Sequence, residues 1–195
     1  MANTSKSICR ELLYETCDMT ARLPGFEATY KRHMKNITFN NEEYRKHAQD
    51  VMVEFYKYMS KYITLFPMFG TLLGIIRSDS LIPHDNDIDF GYLKSEEDEL
   101  IKALDNLHGK YGFVIVRNQF NNLYSVAHDT VLIDLYEYEE NGPVFMQGHR
   151  EFYNLYSHEV LPFKTITFHD TEMKCIQDPI AYFERYYGKD WRTPK

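Results

Sequence analysis

Cysteine is scarce in this chain: Cys9, Cys17 and Cys175 are the only three in 195 residues, and no two form a Cys-x-x-Cys pair. An odd count without paired spacing argues against a disulfide framework and reads as reduced, buried thiols in a reducing compartment. Long apolar runs are missing as well. The longest, residues 65–76, is too short to span a bilayer and is interrupted by Pro67, Gly70 and Gly74. Residues 1–7 lack the apolar core of a signal peptide, so the sequon matches at Asn3 and Asn36 carry no meaning and a cytoplasmic location is expected. Positive charge is in deficit: the net charge of −7 excludes a general nucleic-acid binder, which would present basic stripes to phosphates. Repeats, low-complexity stretches and signs of a second domain are absent too.

What the chain does have is aromatic side chains, 15% of the total and mostly Tyr and Phe, and a length that suits one domain with a real core. Its acidity concentrates between Asp79 and Asp105. The organising stretch is residues 69–91. Asp85, Asp87 and Asp89 stand at every second position, with Ile88 and Phe90 between and after the last two. On an extended strand such residues share one face, roughly 6.6 Å apart. Anions on one apolar face repel one another unless a cation joins them. Hard oxygen ligands without clustered Cys or His select Mg²⁺ or Mn²⁺ over zinc. Upstream, Gly70 and Thr71 open a predicted helix whose free N–H groups and hydroxyl suit a phosphate, and Arg77 at its far end offers a bidentate grip. Phosphate donors beside a carboxylate-bound metal are the parts of phosphoryl-transfer chemistry. Asp79 reads as a turn residue, and His84 as a neighbour of the site.

Further elements follow from pattern. A helix is predicted over residues 6 to about 22, ended by Leu23-Pro24-Gly25. A second starts near Asn40, with Glu43 in a capping-box position, and buries Tyr44, Ala48, Val51, Met52, Phe55, Met59 and Tyr62. Residues 66–69 form a short buried strand or turn. Ser95 and Asp98 cap a helix through Leu107 that stops at Gly109. Strands are predicted over 113–116, 123–128 and 131–138, with turns at Asn121-Asn122 and Asp129-Thr130. The last of these strands sets Asp134 between Ile133 and Leu135, the same anomaly as Asp87 and Asp89. Asp134 is therefore a third carboxylate for the metal, or a base for an attacking hydroxyl. Asn141-Gly142-Pro143 is a turn. Residues 144–158, with Tyr153 and Tyr156, are ambiguous and border an acceptor pocket in this reading. Residues 161–176 suggest a hairpin around His169-Asp170-Thr171. Asp178 and Pro179 start a final helix that ends at Gly188.

Three blocks taken together resemble the LicD family: Gly70-Thr71-Leu72-Leu73-Gly74-Ile75-Ile76-Arg77, then Ile82-Pro83 with Asp85-Asn86-Asp87-Ile88-Asp89, and the closing Arg185-Tyr186-Tyr187-Gly188-Lys189-Asp190-Trp191-Arg192-Thr193-Pro194. That family includes bacterial phosphocholine transferases, and its relatives include the fukutin-type ribitol-phosphate transferases. The resemblance covers about residue 43 to the C-terminus. It departs at Asp79-Ser80, where many members have a Gly pair, and at His84, where many have Trp. It implies an α/β (α+β) nucleotidyltransferase-like fold, a small mixed sheet flanked by helices, over residues 41–195, preceded by an N-terminal helical extension over 1–40. It implies a divalent metal, Mg²⁺ or Mn²⁺, held by Asp87 and Asp89 with Asp85 beside them and Asp134 on the neighbouring strand. Gly70, Thr71 and Arg77 would lie on the phosphates of a CDP-linked donor.

The function expected on this basis is a phosphotransferase that moves a phosphocholine or phospho-polyol group from the CDP-activated donor to a hydroxyl of a surface or capsular glycan or lipid-linked saccharide, releasing CMP. Two alternatives stand beside it. One is a nucleotidyltransferase that passes a nucleoside monophosphate from a triphosphate to a small acceptor. The other is a non-catalytic glycan- or nucleotide-binding module of the same fold. No transmembrane segment is expected, and the amphipathic N-terminal helices leave peripheral membrane contact open.

Overall fold

A computed structural model describes residues 37–194 apart from 112, 119–122 and 148–152. The predicted first helix with Cys9 and Cys17, and the Asn121-Asn122 turn, lie outside the described residues.

Helix α1 spans Glu42–Met59. Its cap is Asn41, one residue later than expected: the Asn41 side chain accepts from the Tyr44 N–H at 2.8 Å. The predicted apolar face is buried from Ala48 to Met59, but Tyr62 falls beyond the helix and is 49% exposed. Strand β1 (Leu65–Pro67) leads into α2 (Phe69–Ser78), and β2 covers Ile88–Leu93. A 3₁₀ turn, Lys94–Glu96, precedes α3 (Glu97–Tyr111), which runs past Gly109 rather than stopping there. A glycine costs a helix interior only about 1 kcal/mol, too little to end a helix that already packs Leu100, Leu104 and Leu107 into the core. Strands β3 (Val114–Asn118), β4 (Leu123–His128) and β5 (Val131–Asn141) follow. The ambiguous region contains β6 (Val144–Met146), β7 (Leu155–Tyr156) and the single turn α4 (Ser157–Val160). The hairpin is β8 (Lys164–Phe168) with β9 (Thr171–Cys175). Asp178 caps α5 (Pro179–Tyr187), accepting from the Ala181 N–H at 3.0 Å.

The sheet is ordered β1-β2-β5-β4-β3, with β6 and β7 added beyond β5. It is mixed, as expected: β2 and β5 run parallel, and the other neighbours run antiparallel. Alternation along the parallel pair divides the interior in two. Ile88, Phe90, Tyr92, Ile133 and Leu135 join Phe55 of α1 and Leu104 of α3 in one apolar cluster. Tyr138 faces the other way, into a second cluster with Leu72 of α2 and Tyr182 and Phe183 of α5. Asp89 and Asp134, paired in register, take the parity of this second face. Cys175 belongs there too, and burial pushes its thiol up to about 12, which suits an inert packing residue.

Candidate active site

Why α2 and the acidic loop meet is visible in two glycines. Gly70 and Gly74 lie one helical turn apart on the same side of α2. A Cβ on Gly74 would come within 2.4 Å of the Ser80 carbonyl oxygen, and one on Gly70 within 2.2 Å of Asp85 Oδ2. Bare backbone at both places lets the chain reverse and run back along the helix it has just left. The reversal is made by Asp79, which ends α2 in the left-handed conformation at φ 48°. Gln49 of α1 then holds the returning strand: its Oε1 accepts from the Ser80 hydroxyl at 2.8 Å and the Leu81 N–H at 3.0 Å. Phe69, the first residue of α2, also has positive φ, 45°. Its ring is held edge-on by Tyr136 at 4.8 Å and Tyr153 at 5.2 Å, contacts that offset an unfavourable backbone for a bulky residue.

The acidic residues do not all lie on one strand. β2 begins at Ile88, so of the three only Asp89 is in it, and residues 85–87 lie in the segment between the Pro83-His84 turn and the strand. Three carboxylates nevertheless converge. Asp87, Asp89 and Asp134 each place an oxygen so that all three lie within 4.8 Å of one another. Asp85 is a neighbour of this group and not a member: its carboxyl lies beside that of Asp87, where a hydrogen bond needs one of the two to carry a proton, and its Oδ1 accepts from the Asn86 N–H at 3.2 Å. Asp89 is 7% exposed and Asp134 5%. Burial, then repulsion from Asp87, Asp134 and Asp85, holds the Asp89 carboxyl well above the ordinary range, while a hydrogen bond with Tyr136 works the other way. Three hard oxygens on adjacent backbone segments, already crowded and partly desolvated, are a donor set that fits a divalent Mg²⁺- or Mn²⁺-type cation.

Of the three residues expected on donor phosphates, two line the adjoining cavity. This space, about 390 Å³, is bordered by Gly70, Arg77, Asp85, Asp89, Tyr187 and Trp191 among others. Arg77 Nη1 also donates to the Trp191 carbonyl oxygen at 3.3 Å, tying the end of α2 to the closing segment. Thr71 is elsewhere. It is 1% exposed, and its hydroxyl oxygen accepts from the Asp89 N–H at 2.8 Å, so it fastens the start of α2 to the acidic strand. His84 borders the cavity, as a neighbour of the site should. Tyr153 reaches the aromatic wall around Phe69, whereas Tyr156 is 48% exposed and stacks under Arg185. Sequence reasoning missed Tyr136 and Ser125, two described residues whose hydroxyls reach carboxylates of the cluster. Tyr136 follows Asp134 at the same-face spacing of two, a signal that could have found it; Ser125 depends on strand pairing.

Among the described residues, no helix is long and apolar enough to cross a membrane. Over residues 62–176 the chain matches the family described as LicD/FKTN/FKRP, nucleotidyltransferase domain. Two curated relatives, uncharacterized protein RP689 of Rickettsia prowazekii (strain Madrid E) and uncharacterized protein RT0683 of Rickettsia typhi (strain ATCC VR-144 / Wilmington), are each 28% identical over 123 residues. Those matches cover 60% of this chain but 45% and 38% of the relatives, so the chain spans less than half of their length. Two solved structures are similar in part. ANT(2″)-Ia in complex with adenylyl-2″-tobramycin has a TM-score of 0.49 at 11% identity, covering 74% of this chain and 78% of that one. The lincomycin-bound lincosamide adenylyltransferase LnuA has a TM-score of 0.47 at 15% identity, covering 67% and 79%. The family match takes in more than half of the 195 residues and encloses α2, the acidic loop, β2 and β5; the chain belongs to the LicD/FKTN/FKRP family and is folded as its nucleotidyltransferase domain.

Proposed function

We propose that this chain is a metal-dependent transferase of the LicD family that moves a phosphocholine or phospho-polyol group from a CDP-activated donor to a hydroxyl of a glycan or lipid-linked saccharide, releasing CMP. The observation that carries this reading is the convergence of Asp87, Asp89 and Asp134 beside a cavity bordered by Gly70 and Arg77. Those three carboxylates hold Mg²⁺ or Mn²⁺, and Asp85 supports Asp87 from outside. The bound ion supplies neutralisation of charge on the phosphoryl oxygens and the departing CMP.

The chain's own residues do the remainder. Arg77 and the backbone at Gly70 fix the pyrophosphate, where the helix start favours negative charge. The acceptor lies against Tyr136, Tyr153 and Phe69, on the aromatic side of Asp89. Asp134 orients the acceptor hydroxyl and takes its proton. A bond forms between that oxygen and the phosphorus bearing the choline or polyol group, and the bond from this phosphorus to the CMP oxygen breaks. Domain limits of 41–195 for this unit, with 1–40 as an extension, and a cytoplasmic setting belong to the same proposal.

A screen of CDP-linked donors with Mg²⁺ or Mn²⁺ and saccharide acceptors, read by mass, tests it. CMP release with a new phosphodiester on the acceptor is the expected result. Pyrophosphate release from a nucleoside triphosphate, with the nucleotide left on the acceptor, would overturn it in favour of nucleotidyl transfer.

A further inference from the structure

Three carboxylates that share a cation cannot each be free to rotate. Every oxygen not aimed at the common point must find another partner, because a buried carboxylate oxygen left unsatisfied is costly. Around this cluster those partners are hydroxyls. Ser125, at the centre of β4, is 1% exposed and stands opposite Asp134 in the antiparallel register. Its Oγ donates to Asp134 Oδ1. Tyr136 lies two residues beyond Asp134 on β5 and so on the same face, and it hydrogen-bonds Asp89. Its ring cannot swing away, being packed edge-on against Phe69 at 4.8 Å. A serine is a poor strand residue and a buried tyrosine hydroxyl needs a partner, so both positions are explained by what they touch.

We propose that Ser125 and Tyr136 are positioning residues that set the carboxylates of Asp134 and Asp89 for a divalent cation, each occupying one oxygen so that the other is presented to the metal. The inference rests on the metal reading given above and adds the residues that tune it. Partners that orient a metal ligand from behind typically contribute about 10- to 100-fold to affinity.

The test is Mn²⁺ titration calorimetry on the full chain, with melting of the metal-free protein in parallel. Ser125→Ala and Tyr136→Phe remove one hydroxyl each and keep the packing. Each is expected to weaken Mn²⁺ binding about 10- to 100-fold, while the metal-free protein still unfolds cooperatively at a somewhat lower temperature, a buried carboxylate oxygen having lost its donor. Tyr124→Phe is the control, since it removes a hydroxyl that donates to Glu97 at 2.8 Å, away from the cluster, and should leave Mn²⁺ affinity unchanged. If the parent binds Mn²⁺ and both variants bind it equally well, the two hydroxyls serve packing alone and the inference fails while the metal site stands. If the parent binds Mn²⁺ no better than Asp89→Asn does, the metal reading falls and takes this inference with it.

Discussion

Strand β5 carries two buried carboxylates, Asp134 and Glu137, each 5% exposed, and they sit on opposite faces of the same sheet. Glu137 has Glu97 and Glu139 near it as like charges but is also answered within the fold: Tyr92 donates to its Oε2 at 3.3 Å, and the Lys94 amine stands 3.9 Å from Oε1. Asp134 shares its face with Asp89 and Asp87, so the neighbours that matter most there carry the same sign. One face has settled its charge within the fold. The other has concentrated charge beside a cavity, where the proposed cation would settle it. Burial of an acid is thus no mark of function in itself; the sign of what surrounds it is.

The comparison breaks first, and hardest, at Asp89. Asp89→Asn removes a ligand and also removes a repelled anion from a buried place. Turnover and Mn²⁺ affinity are expected to fall by at least about 100-fold, more than loss of a partner behind a ligand would cause. The metal-free melting temperature should not fall, because the carboxamide keeps an oxygen for Tyr136 and no longer meets Asp87 and Asp134 as a like charge. Substantial metal-dependent turnover in this variant would contradict the assignment. A second effect reads the same face through stability. At a Mn²⁺ concentration about 100 times the parent's dissociation constant, the parent should gain about 2.7 kcal/mol and lose it to a chelator, and the Asp89→Asn variant should gain no more than about 0.4 kcal/mol. Scanning calorimetry with and without chelator measures this.

Much of this was legible in the sequence. The alternation around Asp134 and the Asp-Asn-Asp-Ile-Asp run identify three carboxylates that do converge, and the Asp178-Pro179 start and the Asp129-Thr130 turn place α5 and the β4–β5 hairpin. The failures have physical causes. Alternation over 85–89 puts Asp85 and Asp87 on a strand, but the strand begins only at Ile88, because local pattern does not reveal where pairing with β5 starts. Pattern alone assigns Gly70 and Thr71 to phosphate. Gly70 does line the cavity, with the Asp85 carboxylate tip where a Cβ would stand; Gly74 is required by the close return of the Ser80 backbone, and the buried Thr71 hydroxyl accepts from the Asp89 N–H. Glu137 meets the criterion that singles out Asp134, an acid between apolar residues on a strand. Only its pairing with Lys94 and Tyr92, 43 and 45 residues away in sequence, separates the two.

Glu137→Ala therefore tests the other face. It leaves the Tyr92 hydroxyl buried without its acceptor, at a cost of about 1–3 kcal/mol in urea unfolding. Mn²⁺ affinity and turnover should not change. A loss of metal binding here would mean that the two faces are not independent.

The smallest effect should come from Lys94→Met, and its sign is informative. The Lys94 side chain is 43% exposed, and its amine also meets Glu139 at 2.7 Å, so the pair contributes less than about 1 kcal/mol. Burial, then repulsion from Glu97, already holds the Glu137 carboxyl above its ordinary range, with Lys94 and the Tyr92 hydrogen bond opposing the shift. The folded state therefore binds this proton more tightly than the unfolded one, and stability contributed by Glu137 declines as pH rises from the unfolded carboxyl's titration through the folded one. Removing Lys94 deprives only the ionised form of its cation, so the deficit should be seen at neutral pH. It should vanish in acid below both titrations, where Glu137 is neutral folded and unfolded. Urea midpoints at the two conditions decide it: an equal loss at both would show that Lys94 acts through its packed stem, and the charge settlement assigned to this face would have to be given to Tyr92 alone.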